Sequence, residues 1–417
     1  MVSVSLQDER LLYSGRIDDE DPQRPVFIFP ASSLTFWFYG KRAVLVVENH
    51  RVFWDNYVGA WVDGKEKKWK LKAEGRTEIV LLDEEWEREE GRAIAEKAGE
   101  MGEAADAGEG VNMGETADAG EGVNMGEAAD AGEGMNMGEG VGGRKRHEVI
   151  FFKRQDCCHS FSLCSLQLSE DGCLLEGPLK PARRMEVYGD SVSAGEVSEA
   201  VDYVGKPDPE HEGEYSNSWY SYAWIAARKL GAELYDIAQG GIPLLNGTGW
   251  VGPTYPGMEF MWDKLHYHPG LGKVKEWDFS RFVPHLVLVA VGQNDSHPVD
   301  VMKEDIDGER ARFWKKKYRE LVENIRGKYP EAVILLATTI LEHHRNWDLA
   351  IDEVCEEMRR DGDERVFHFL YSRNGCGTPG HIRIPEAEEM AEELVHFIEG
   401  LSVNVWDEEV LQGDLGG

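Results

Sequence analysis

Leu286-Val-Leu-Val-Ala-Val291 is an unbroken apolar run. A segment that short has no polar face to turn to water, so it reads as a strand covered on both sides, which requires layers of helix above and below it. The runs Met185-Glu-Val-Tyr188, Leu234-Tyr-Asp-Ile-Ala238, Val333-Ile-Leu-Leu-Ala337 and Val366-Phe-His-Phe-Leu370 repeat the pattern. Between and after them lie helical stretches at Ser218–Gly231, Asp305–Tyr329, Leu349–Arg360 and Glu386–Glu399, with Gly231 placed as a helix C-cap. Strand alternating with helix predicts an α/β parallel sheet in three layers, whose ligands bind beyond the carboxyl ends of its strands.

The front of the chain reads differently. Short runs rich in Val, Phe, Trp and Tyr recur at roughly ten-residue spacing: Leu11-Leu-Tyr13, Val26-Phe-Ile-Phe29, Leu34–Tyr39, Ala43–Val47, Gly59-Ala-Trp-Val62, Thr77–Leu82, His147–Lys153 and Phe161–Leu168. They predict an antiparallel β-sandwich over residues 1–180, followed by the α/β domain over 181–400 and an acidic tail over 401–417. Inside the sandwich, Met101–Asn112, Met113–Asn124 and Met125–Asn136 are near-copies of one twelve-residue unit. One Val and one Met per repeat cannot bury a solenoid core, so residues 88–145 read as a disordered acidic insertion between two strands. Calcium binding by these acids is the competing reading, but their spacing does not match an EF-hand loop.

The formal charge is −33, and eleven acids fall between 99 and 143, where no Lys or Arg stands. The remainder is still strongly acidic, which disfavours nucleic acid and anionic membranes as partners and suits a neutral substrate. No run of about 18 apolar residues occurs. Met1-Val-Ser-Val-Ser-Leu-Gln-Asp-Glu-Arg10 lacks the basic start and apolar core of a signal peptide, so a cytoplasmic location is expected. The six cysteines, including adjacent Cys157-Cys158, are expected to be plain thiols, since no metal-type spacing accompanies them. His266 and His268 likewise lack zinc-ligand spacing.

Chemistry-bearing residues follow the strand ends. Gly189-Asp190-Ser191 follows the first strand, Gln239-Gly240-Gly241-Ile242 the second, Gly292-Gln293-Asn294-Asp295 the third, and Gly375-Cys-Gly-Thr-Pro-Gly-His381 the last. Acyl transfer needs a nucleophile, a base and donors aimed at a developing oxyanion, and these residue types could fill those roles. In this order the set resembles the SGNH (GDSL-like) hydrolases. With Tyr13-Ser-Gly-Arg16, the Phe38–Val47 strands and Arg184–Ser191 in front, the chain resembles the two-domain carbohydrate esterases of family 2, acetyl esterases with a jelly-roll domain ahead of a flavodoxin-like hydrolase domain.

The resemblance implies Ser191 as nucleophile and His381 as general base, without a cofactor or metal. It implies an oxyanion hole made of the Ser191 amide, the Gly241 amide and the Asn294 side chain, with adjacent Gly240 as the rival amide. Many SGNH enzymes carry an Asp three residues before the His, where this chain has Thr378. The expectation is therefore a Ser-His dyad with a weaker base, its ring held by a backbone carbonyl or another side chain. Asp190 is expected to cap and brace the nucleophile turn. His297 is a rival base on the oxyanion loop, and His343-His344 are expected to be packing or surface residues. Trp219, Tyr220 and Trp224 sit at core spacing on a helix, whereas Trp250, Tyr255 and His297 are candidates for contact with a sugar. The function expected is removal of acetyl groups from oligo- or polysaccharide. The alternatives are a non-catalytic carbohydrate-binding protein on the same fold, or a transacetylase or esterase of intracellular acyl metabolites.

Overall fold

In a computed structural model, which describes residues 1–86, 88 and 145–407, the first part of the chain forms two antiparallel sheets. One runs Ile17–Asp18, Val26–Phe27, His159–Leu168, Arg42–Arg51, Arg76–Asp83, with Val2–Val4 also on His159–Leu168. The other runs Cys173–Leu175, Ser33–Tyr39, Arg146–Lys153, Tyr57–Val62, Lys65–Lys70, with Leu12–Ser14 also on Ser33–Tyr39. Alternation turns Leu34, Phe36 and Phe38 of one sheet toward Leu45, Val47, Phe161 and Leu163 of the other, all fully buried. Lys65–Lys70 has no counterpart among the expected strands: its run of lysines hides a strand pattern, and it lies at a sheet edge where such charges block further pairing. The repeat insertion falls almost wholly outside the described residues.

The second part is a five-stranded parallel sheet of β1 (Arg183–Gly189), β2 (Ala232–Ala238), β3 (Leu286–Ala290), β4 (Val333–Leu336) and β5 (Val366–His368), in the order 2-1-3-4-5. Every residue of β3 is buried. Leu286, Leu288 and Ala290 face the layer of α1 (Tyr222–Lys229) and α4 (Ile384–Glu399). Val287 and Val289 face the layer of α2 (Glu309–Lys328) and α3 (Asn346–Arg360). This is the three-layer α/β arrangement expected. The strand order reverses between β1 and β3, and the crevice at the carboxyl ends of those two strands is where such a sheet accepts ligands. Residues 401–407, expected to begin a tail, instead close the α1–α4 layer: Val405 is buried and the Trp406 ring lies 5.1 Å from the Arg183 guanidinium. The apolar Val and Trp outweigh the acids around them. Among the described residues, no helix is long and apolar enough to cross a membrane.

The sandwich and the parallel sheet share buried chemistry. Arg16, fully buried, donates to Glu186 Oε1 of β1 at 2.8 Å and to the carbonyls of Trp262 and Lys264. Arg154, also fully buried, pairs with Glu199 at 2.6 Å. The expected core aromatics of the α1 region divide: Trp224 is buried, while Trp219 is part-buried and wedged between Trp61 and Phe152 of the sandwich, at 5.4 Å from each. Tyr220 donates to Glu66 at 2.7 Å instead of entering the core. Two charges without water cannot be separated cheaply, and removing one strands the other. Arg16→Met is accordingly expected to lower stability by about 3–5 kcal/mol in denaturant unfolding; a loss under about 1 kcal/mol would show that the pair does not clamp the two parts together.

Candidate active site

β1 ends at Gly189, and Asp190 caps the one-turn helix Ser191–Ala194, its Oδ1 accepting the Val192 N–H at 3.0 Å. Gly189 admits this turn because a Cβ there would meet Ser193 Oγ at 2.2 Å. Asp190 Oδ2 accepts from Gln293 Nε2 at 2.7 Å and Asn294 Nδ2 at 3.0 Å, which ties the loop after β1 to the loop after β3. Its bracing role is thus larger than capping alone. Burial pushes the Asp190 carboxyl up to about 6, against the pull of its donors.

Ser191, Gly241, Asn294 and His381 line one cavity of about 640 Å³, together with Trp250 and Tyr255. Gly240 donates its N–H to Asp156 Oδ2 at 2.7 Å, a carboxylate from the sandwich. Gly241 adopts φ +70, in the left-handed region, and a Cβ on it would sit 3.0 Å from Trp250 Cβ. Its N–H and that of Ser191 take part in no hydrogen bond among the described residues. The choice between the two glycines is thereby made by tertiary contact: Gly240 is committed, Gly241 is available. Asn294 differs from expectation in its resting geometry. Its Nδ2 donates to Asp190 Oδ2 and, at 3.1 Å, to Ile242 O, so an oxyanion would have to share or draw away one of those hydrogens.

Of the two holders left open for the His381 ring, a backbone carbonyl or another side chain, the structure supplies the side chain, and it is a carboxylate. His381 Nδ1 lies 2.5 Å from Asp208 Oδ2, and a carboxylate only accepts, so Nδ1 holds a proton and Nε2 is left to exchange one. Asp208 Oδ1 is fixed in turn by the His381 N–H and by buried Arg383, each at 2.8 Å. The chain closes tightly here, since a Cβ on Gly380 would lie 2.5 Å from Lys206 O. Asp208 stands 173 residues before His381. Its one sequence signal is its place between Pro207 and Pro209, which restricts the backbone without revealing its partner.

On the other side of the ring, Glu196 Oε2 is 3.9 Å from His381 Nε2. Burial works against a charged imidazole, but Glu196 and Asp208 outweigh it and hold His381 up to about 9. The carboxylate that Thr378 does not provide is thus supplied by Asp208 from another loop. Burial raises Glu196 to about 7, opposed by His381 and reinforced by Asp156, Asp208 and Asp190. Partial burial also opposes the charged form of Asp208, yet its hydrogen bond and ion pair with His381 keep it below the usual carboxylate range.

His297 is not a rival base: its ring lies flat behind Trp250, centroids 4.0 Å apart at 14°, so it backs the indole instead of facing the nucleophile. Tyr255 reaches the cavity beside His268, 5.3 Å away. His343 is spent on Leu341 O and Asp348, a packing role as expected. Cys157 and Cys158 are buried free thiols, and no group of three or more potential metal ligands occurs among the described residues.

The geometry yields two expected outcomes. Asp208→Asn should lower kcat on a small ester by on the order of 10²–10⁴ with the fold intact, because the imidazole loses its orientation and the partner of its positive charge; a loss below about threefold would remove Asp208 from the site. A base held at about 9 is mostly protonated at neutral pH, so kcat/KM for that ester should climb from pH 7 to 9. Glu196→Gln deletes one of the three carboxylates raising it, and the inflection of the pH–rate profile should move to lower pH. An unmoved inflection would contradict the assignment.

Residues 13–92 match the carbohydrate esterase 2 N-terminal family model. The chain is 29% identical over 396 residues, 92% of its length, to the cellulase/esterase CelE of Acetivibrio thermocellus, of which it covers 38%. Over 251 residues, 60% of its length, it is 26% identical to an acetylxylan esterase / glucomannan deacetylase of Cellvibrio japonicus, of which it covers 65%. The chain thus spans less than two thirds of each of these relatives. Its fold matches that of a family-two carbohydrate esterase from Clostridium thermocellum, solved with cellohexaose, at a TM-score of 0.67 and 22% identity, covering 93% of this chain and 98% of that one. In its N-terminal family match, its relatives and its fold, the chain is similar to the two-domain carbohydrate esterases of family 2.

Proposed function

We propose that the protein is a serine esterase that removes O-acetyl groups from carbohydrate through an acyl-enzyme. The observation that carries this reading is a single cavity lined by the Ser191 hydroxyl, the His381 imidazole held by Asp208, and the uncommitted Gly241 amide. The relatives named for acetylxylan and glucomannan deacetylation supply the substrate class.

In the neutral imidazole, Nε2 takes the proton of Ser191 Oγ as that oxygen attacks the acetyl carbonyl. Charge moves to the carbonyl oxygen, toward the Ser191 and Gly241 N–H groups, with Asn294 as a third donor once it yields a hydrogen. Each such donor is worth about 2.7–4 kcal/mol in the transition state. Asp208 balances the imidazolium formed. The tetrahedral species then collapses, the sugar oxygen leaves with the proton from Nε2, and acetyl remains on Ser191. Water, deprotonated by the same nitrogen, releases acetate and restores the serine.

Ser191→Ala should abolish acetate release from acetylated glucomannan or xylan and from 4-nitrophenyl acetate, with unfolding free energy within about 1 kcal/mol of the parent. Unchanged turnover in the variant would refute the nucleophile. Failure of the parent to take up a fluorophosphonate label while binding glycan would favour a non-catalytic sugar-binding protein.

A further inference from the structure

The cavity has a second wall that the mechanism above does not use, and it comes from the sandwich. In the loop between Arg42–Arg51 and Tyr57–Val62, Phe53 and Trp54 are 41% and 38% exposed, yet both line the cavity that holds Ser191. Adjacent exposed apolar rings that line a cavity mark a place a ligand covers. Their placement is also enforced. Trp54 has φ +42, a conformation L-residues rarely adopt, and the strain is met by hydrogen bonds on either side. Arg51 donates to Trp54 O, His159 Nε2 bonds Phe53 O at 2.9 Å, and the Asp55 N–H reaches Glu212 O at 3.0 Å. The Trp54 ring packs against His211, centroids 4.6 Å apart, and Phe53 meets Trp54 edge-on at 5.1 Å. His211 lies three residues beyond Asp208, so this aromatic ledge borders the loop that holds the base.

Trp250, 68% exposed and stacked on His297, borders the same cavity next to Gly241. The cavity that holds the reacting groups is therefore lined by two aromatic ledges, one from each part of the chain. The lining also includes Glu196 and Glu342, whose carboxyl oxygens accept hydrogen bonds and disfavour anions. Flat rings facing carboxylates suit a ligand with apolar C–H faces, hydroxyl edges and no negative charge. A neutral pyranose chain has all three properties.

Resting on the esterase reading, we infer that Phe53 and Trp54 form a sugar-binding subsite: they hold a ring of a neutral oligosaccharide beyond the acetylated one, so the sandwich reads chain length. The occupant is a further ring of the substrate itself, because Phe53 and Trp54 line the nucleophile's cavity; the groove they also border beside His50, Glu74 and Gly270 contains none of the reacting groups.

The test compares singly acetylated glucose with an acetylated β-linked glucose hexasaccharide as substrates of the full chain. It also measures binding of the unacetylated hexasaccharide by titration calorimetry. The parent should show higher kcat/KM on the longer substrate. Trp54→Ala should reduce that gain by several-fold to about tenfold, the worth of one stacked ring, and weaken hexasaccharide binding by a similar factor. Trp54→Phe, which keeps a ring, should restore most of both. An unchanged chain-length ratio together with unchanged hexasaccharide binding in Trp54→Ala overturns the subsite while leaving the esterase reading in place. Conversely, a parent that releases no acetate but binds the hexasaccharide through Trp54 overturns the esterase reading and keeps the subsite.

Discussion

Asp156 leaves the β-sandwich and accepts the N–H of Gly240 at 2.7 Å, and the candidate site depends on that contact more than on any other. The loop after β2 offers two adjacent glycine amides. With Gly240 engaged, the next N–H is the one left facing the cavity, and its positive φ is tolerable only because Gly241 has no side chain. Asp156 is itself set by the Cys158 N–H at 3.1 Å and by His159. The candidate oxyanion donor of the α/β part is thus selected by a turn of the sandwich. That explains why buried charge crosses the boundary at Arg16–Glu186 and Arg154–Glu199: a relative shift of the two parts would misplace the amide.

The electrostatics of the cavity follow from the same crowding. Asp190, Glu196 and Asp208 act on one imidazole, and partial or full burial makes each carboxylate costlier to ionise. The competition is resolved unequally. Asp208, with an imidazole N–H and a guanidinium to accept from, stays ionised, whereas the Glu196 carboxyl, which accepts no hydrogen bond among the described residues, rises to about 7. His381 gains the charge that the carboxylates around it favour. A strong base results, at the cost of a larger protonated fraction near neutrality.

How far all of this could be read in advance differs by level. Runs such as Leu286–Val291 are legible because an apolar segment without a polar face has few places to go, and the strand order then puts Ser191 and Asn294 on either side of the switch point. The lysine-rich Lys65–Lys70 strand was not legible, since edge pairing satisfies the backbone without asking for apolar side chains. Val405 and Trp406 were masked by the acids beside them, although two apolar residues suffice to dock a terminus.

Residue identity and local spacing by themselves determined the two-part architecture, the nucleophile turn, the histidine after the last strand and the glycines that could present an amide. Those features live within a few residues of one another, where propensity and hydrophobic pattern act. Only the tertiary structure decided which glycine is free, that Asp208 and not a nearer acid orients His381, that His297 backs Trp250, and that the sandwich contributes Asp156, Phe53 and Trp54 to the cavity. The physical reason is distance along the chain. A hydrogen bond or ring contact between residues brought together by packing leaves no periodic trace in either segment, so it becomes visible only when both are folded.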